Sequence, residues 1–161
     1  WITGINAIYN SLGQIVDTRI PFRYRAAFIQ KGFYDGKWLP FIQQESTFWA
    51  TTLLEYVDFN QLRSLKFAGD YYLWTCFSKW AKLDVVSCVF AGFRKRKGQL
   101  SESIDAYWRE LKNFCPKDPN LMEKAICFLD KVRGGFPVRL NRDMIRFNFE
   151  RESWGKNGKW N

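Results

Sequence analysis

The chain has 161 residues, with 47% hydrophobic and 25% charged side chains, a length and balance that fit one globular domain with its own core. It contains no histidine, which excludes a Ser-His-Asp triad, a Cys-His dyad and a histidine-ligated metal within this chain. The 25 Lys and Arg against 16 Asp and Glu leave a formal charge of +9, which attracts phosphates on nucleic acid, lipid or a nucleotide-sugar without choosing among them.

Residues 1–20 read as a short apolar start, a turn at Ser11-Leu12-Gly13 and an extended stretch, suited to strands at a sheet edge. Residues 21–40 mix basic and aromatic side chains, are punctuated by Gly32 and Gly36, and read as a partly ordered loop. Ser46 or Thr47 offers a cap for a helix from Phe48 to Val57. A loop from Asp58 to Gly69 then leads to a helix from Asp70 to about Leu83, where Tyr72, Trp74, Phe77, Trp80 and Ala81 recur at helical spacing. The β-branched run from Asp84 to Phe90 predicts a strand, and Gly92 to Gly98 a basic loop. Ser101 to Phe114 predicts an amphipathic helix, capped by Ser101 or Ser103, with Ile104, Tyr107, Trp108 and Leu111 on its apolar side. Pro116 and Pro119 break the chain before a helix from Asn120 to Val132, ended by Gly134-Gly135. A strand from Met144 to Phe149 and a polar, Gly-containing tail complete the reading.

No apolar run approaches ~18 residues, so neither a membrane span nor a signal peptide is expected. Cys76, Cys88, Cys115 and Cys127 form no CxxC pair, so reduced core thiols of a cytosolic protein are expected rather than a zinc site. The chain starts at Trp1 rather than Met and is expected to be cut from something longer.

Three segments carry candidate chemistry. Phe41 to Trp49 sets Gln43, Gln44 and Glu45 beside Trp49, amides and a carboxylate with an aromatic face, as a polyhydroxylated ligand requires; a capped helix with a buried Trp is the simpler alternative. Gly69-Asp70-Tyr71-Tyr72-Leu73-Trp74 places a carboxylate at a helix start, where it serves either as an ordinary cap or as a general base. Gly92-Phe93-Arg94-Lys95-Arg96-Lys97-Gly98-Gln99 holds four consecutive cations between glycines, a diphosphate site or a solvated basic loop. No RNA- or DNA-binding motif is recognisable, although basic and stacking residues together also suit a polyanion such as RNA.

In this order the segments resemble family-2 glycosyltransferases of the GT-A fold. Trp1-Ile2-Thr3-Gly4 is similar to that family's WxTG segment, and Gln43 to Trp49 to its QQESTFW signature. Gly69 to Trp74 resembles its acidic motif, and Gly92-Phe93-Arg94 followed by Gly98-Gln99-Leu100-Ser101 its GFRxHxGQxS loop. The resemblance covers residues 1–101 and implies an α/β fold, the C-terminal, acceptor-side part of a GT-A domain, with residues 102–161 as a helical extension. It implies that Asp70 is the catalytic base, that Gln44, Glu45, Trp49 and Gly69 lie at the acceptor or transferred sugar, that Trp74 packs behind the base, and that Arg94 and Arg96 face the departing diphosphate. The family loop commonly carries a metal-binding His where Arg96 stands, so a divalent cation (Mn or Mg) of the intact enzyme has no identified ligand in this chain. The nucleotide-binding strands and DxD motif of the family would lie upstream of Trp1, and without them this part alone is expected to be inactive. The implied partners are a nucleotide-sugar donor, a glycan or lipid-linked acceptor and the missing N-terminal half. The implied location is the cytoplasm, peripheral at the inner face of a membrane; nucleic acid is not an expected partner.

Overall fold

The structure, a computed structural model, describes residues 1–20, 23–96, 98–99, 103–115, 118–135, 143–156 and 159–160. In chain order it runs β1 (Ile2–Thr3), β2 (Asn6–Tyr9), β3 (Ile15–Arg19), α1 (Ala26–Gln30), β4 (Thr47–Phe48), α2 (Phe59–Ser64), α3 (Gly69–Phe77), β5 (Asp84–Val86) and β6 (Gly92–Arg94). It continues with α4 (Ile104–Phe114), α5 (Leu121–Gly134), β7 (Met144–Asn148), β8 (Ser153–Lys156) and β9 (Lys159–Trp160). Gln44–Ser46 and Thr51–Tyr56 form 3-10 turns.

The fold is α/β with two mixed sheets. The larger has the order β4-β1-β5-β7-β8-β9, with β1-β5 and β5-β7 parallel and the outer pairs antiparallel. The smaller is β3-β2-β6, antiparallel then parallel. The β2-β3 hairpin closes where the sequence predicts it. Asn10 Oδ1 accepts from the Leu12 and Gln14 N–H groups, both at 3.0 Å, and Gly13 takes the left-handed conformation with φ +82°. β3 is exposed at every position, as an outer edge strand.

The core lies between the larger sheet and α1, α3 and α4, centred on Trp74, Phe77, Tyr71, Phe33 and Ile29. Its aromatic density comes largely from residues 21–40. The expectation of a partly ordered loop fails there for the described residues: Tyr24, Phe28, Ile29, Phe33, Tyr34 and Leu39 are all buried. The physical reason is that local backbone turns, among them Phe33 N–H to the Phe28 carbonyl and Leu39 N–H to the Phe33 carbonyl, together with side chains, rather than a ladder, satisfy this backbone. The Tyr34 N–H donates to the Tyr71 hydroxyl at 3.2 Å, the Arg25 N–H donates to the Tyr34 hydroxyl at 2.9 Å, and the Asp35 carboxylate accepts from the Lys37 and Trp38 N–H groups at 2.9 Å. The five residues of α1 are too few to show a helical period.

Other boundaries also move. The expected helix from Phe48 to Val57 is instead β4 followed by the 3-10 turn Thr51–Tyr56. Ser46 and Thr47 do not cap it. The Ser46 hydroxyl bonds to Asn6 Oδ1, and the Thr47 hydroxyl donates to the Gln43 carbonyl at 2.7 Å and lies 3.2 Å from the Thr3 hydroxyl. The expected loop from Asp58 to Gly69 contains α2, whose N-terminus Asp58 caps by accepting from the Asn60 and Gln61 N–H groups. α3 stops at Phe77 rather than Leu83, and the strand expected to Phe90 stops at Val86. Asn120 and Glu123 form a reciprocal capping box on α5, as the polar residue before the apolar run suggests. Ser103 stands at the start of α4 without a side-chain cap bond; Ser101 and Pro116 lie outside the described residues.

Residues 102–161, expected as a helical extension, hold α4 and α5 and also β7, β8 and β9. β7 pairs with β5 in parallel, so this segment completes the same sheet that β1 begins. Among the described residues no helix is long and apolar enough to cross a membrane. All four cysteines are free thiols, with Cys76, Cys115 and Cys127 buried.

Candidate functional site

The four motif segments, far apart in sequence, meet in space. Trp1 stacks on Trp74 with ring centroids 5.7 Å apart, and Trp49 meets Trp74 edge-on at 5.4 Å and Phe77 at 5.6 Å. Three of the segments thus share one aromatic cluster, in which Trp74 is fully buried. Two motif glycines are required by close approach. A Cβ at Gly4 would stand 2.4 Å from the Cys88 carbonyl oxygen, and one at Gly92 would stand 2.1 Å from the Tyr9 ring and 2.7 Å from the Ala7 carbonyl oxygen.

Asp70 lies in the first turn of α3, after Ala68 at the N-cap position and Gly69 at the first helical position. It is therefore not the cap. Its Oδ1 accepts from the Tyr71 N–H at 2.7 Å. Burial pushes its carboxyl up to about 6; the Tyr71 N–H opposes this, and the nearby Glu45 charge adds to it. Burial also raises Asp35 and the Tyr107 phenol, the latter with contributions from the Asp70 and Asp35 charges. Asp70 thus lies near both Glu45 and Tyr107, and Phe41 meets the Tyr107 ring edge-on at 5.6 Å.

Sequence reasoning missed the group that anchors the chain just before Asp70. Glu110 of α4 accepts from three consecutive N–H groups, those of Lys66 at 2.9 Å, Phe67 at 2.7 Å and Ala68 at 2.9 Å. Although burial pulls it upward, these N–H bonds and the Lys66 charge leave its carboxyl below the usual glutamate range. The stretch they fix runs directly into Gly69 and Asp70. Nothing in the local sequence signals this, because Glu110 reads as the polar side of an amphipathic helix. A second α4 anchor, Trp108 Nε1, donates to the Asp35 carbonyl at 3.0 Å.

Of the other expected site residues, Gln44 and Glu45 are exposed on the 3-10 turn, Glu45 close enough to act on Asp70. Trp49 is half-buried against Trp74 and Phe77. Gly69 has ordinary room, a Cβ there meeting only Leu62 at 3.4 Å. Arg94, Lys95 and Arg96 are exposed, on and just after β6, and β6 packs beside the Gln44–Ser46 turn. Gln99 closes the basic loop: its amide donates to the Arg94 carbonyl at 2.6 Å, and its oxygen accepts from the Arg96 N–H at 3.2 Å. Lys97, Leu100 and Ser101 lie outside the described residues. The structure thus brings the Gln44-Glu45 turn together with both Asp70 and the basic strand.

Among the described residues no group of three or more Cys, Asp or Glu side chains is arranged to hold a metal ion. No family model, no curated protein and no solved structure matches this chain.

Proposed function

We propose that this chain is the acceptor side of an inverting, GT-A-type glycosyltransferase of family 2, which moves a sugar from a nucleotide-sugar donor to an acceptor hydroxyl. The observation that carries the reading is Asp70, a carboxylate in the first turn of α3 that accepts from the Tyr71 N–H, lies near the Glu45 charge, and is pushed up to about 6 by burial. At neutral pH such a group is still ionised, yet it is a stronger base than an exposed aspartate. Asp70 takes the acceptor's hydroxyl proton as that oxygen forms its bond to the anomeric carbon. The bond from that carbon to the donor diphosphate breaks on the opposite face, and its electron pair leaves with the diphosphate. Arg94, Lys95 and Arg96 supply positive charge where that negative charge develops. Gln44 and Glu45 are exposed beside both groups and bind sugar hydroxyls. A divalent cation would polarise the diphosphate, and by the resemblance its ligands would lie in a donor half upstream of Trp1.

The test uses the longest natural form of the protein, including any sequence before Trp1. It is expected to hydrolyse or transfer from a nucleotide-sugar, and Asp70→Asn is expected to abolish this. Full activity in the Asn variant would remove Asp70 from the role of base. A second reading, a non-catalytic binding module for a polyanion such as RNA, draws on the exposed Arg94, Lys95 and Arg96. Steeply salt-dependent RNA binding with no response to nucleotide-sugars would favour it.

A further inference from the structure

Helix α5 is amphipathic in the reverse of the usual sense. Its inward face carries Glu123, Ile126, Cys127 and Asp130, and both acids are engaged there. Glu123 pairs with Lys31 and with the Asn120 N–H, and Asp130 receives Arg25 in two hydrogen bonds of 2.7 and 3.1 Å. The outward face is apolar. Leu121, Met122, Ala125, Phe128, Leu129 and Val132 recur at helical spacing on one side. All six are exposed, Leu121 at 85%, Met122 at 74% and Phe128 at 66%. Single exposed apolar side chains are ordinary, but six on one helical face mark a contact surface.

The border of this stripe is basic. Lys124 and Lys131 follow one side of it at helical spacing and Arg133 the other. Lys124 Nζ and Lys37 Nζ each lie 5.5 Å from the ring of Trp38, and Lys131 Nζ donates to the Lys37 carbonyl at 3.0 Å. Two lysines therefore lie at the ring of a half-buried Trp and a third bonds the carbonyl just before it, while the two acids of α5 are on its inward face. A second copy of this face would bring the same cations together, which disfavours self-pairing. An anionic bilayer surface matches every part: hydrocarbon for the six apolar side chains, headgroup depth for Trp38, and negative headgroups for the lysines.

We propose that α5 is an interfacial helix that seats this protein on an anionic lipid surface, through the Leu121-to-Val132 stripe and the lysine border. This site is independent of the catalytic reading. It is tested by co-sedimentation of the longest natural form of the protein with phosphatidylcholine vesicles, with and without phosphatidylglycerol. Two double variants accompany it, Leu121→Ser with Phe128→Ser and Lys124→Glu with Lys131→Glu, each checked for a native far-UV spectrum. The wild type is expected to pellet with the phosphatidylglycerol vesicles, and each pair to lower partitioning by about tenfold or more. Wild-type protein that stays in the supernatant with both vesicle types would overturn the proposal. So would a serine pair that pellets like wild type. A dimer in sedimentation equilibrium that the serine pair disperses would assign the face to a second copy instead.

Discussion

Replacing Asp70 with Asn is expected to stabilise the chain at neutral pH while removing the proposed base. The folded chain holds the Asp70 proton more tightly than the unfolded chain, because burial raises the carboxyl from 3.8 to about 6. Stability is therefore undiminished below about pH 3.8, falls as pH rises toward about 6, and is flat above that. The gap between 3.8 and about 6 corresponds to about 3 kcal/mol of ionisation penalty at pH 7. About 1 kcal/mol of it is already present at about pH 4.5, so some 2 kcal/mol develops between the two pH values. Asn keeps an oxygen for the Tyr71 N–H but buries an amide that needs partners, a cost of about 1 kcal/mol that does not vary with pH. The assay is urea unfolding of wild type and Asp70→Asn at a series of pH values. The stability difference should grow by about 2 kcal/mol from about pH 4.5 to 7. A difference that stays constant with pH would refute the argument, because it would mean that Asp70 ionises as an ordinary surface aspartate.

Glu110→Gln is expected to weaken the three backbone bonds that lead into α3, at a cost of roughly 1 kcal/mol because water competes at this partly exposed group. Since the Glu110 carboxyl lies below its ordinary range, its contribution should be present above about pH 4.5 and fade as pH falls; faster amide exchange at residues 66–68 would report the loss. Arg25→Ala leaves Asp130 charged and buried at 5% exposure, and should destabilise the fold by about 3 kcal/mol in urea unfolding, an effect that Asp130→Asn in the same chain should partly restore. Gly92→Ala would place a methyl group 2.7 Å from the Ala7 carbonyl oxygen and against the Tyr9 ring, so a loss of about 2 kcal/mol and a lower melting temperature are expected. An unchanged melting temperature would show that β2 and β6 separate more easily than their pairing indicates.

Local signals were enough for part of this molecule. The hairpin turn at Ser11-Leu12-Gly13, the capped start of α5 and the strand from Met144 carry their own turn, cap or branching chemistry, and the structure places each, and the start of α3, within a few residues of expectation. Asp70 was legible as a carboxylate at a helix start, and Trp74 as an aromatic at helical spacing on the same helix. Residues 21–40 were not, because their polar backbone groups are satisfied by irregular local turns and by the side chains of Tyr34, Tyr71 and Asp35 rather than by a periodic ladder. Ser46 and Thr47 look like helix caps by composition, yet the Ser46 hydroxyl is taken by Asn6, some forty residues earlier in the chain, and the Thr47 hydroxyl by the Gln43 carbonyl and Thr3. The same holds for the candidate site. The sequence by itself determined the residue types, the basic charge, the absence of histidine and the order of the motifs. Only the tertiary structure decided that Glu45 faces Asp70, that Glu110 fixes the approach to it, and that α5 turns its apolar face outward. Each of these depends on desolvation and on contacts between segments distant in sequence, and a carboxylate's burial or a helix's orientation has no local signature.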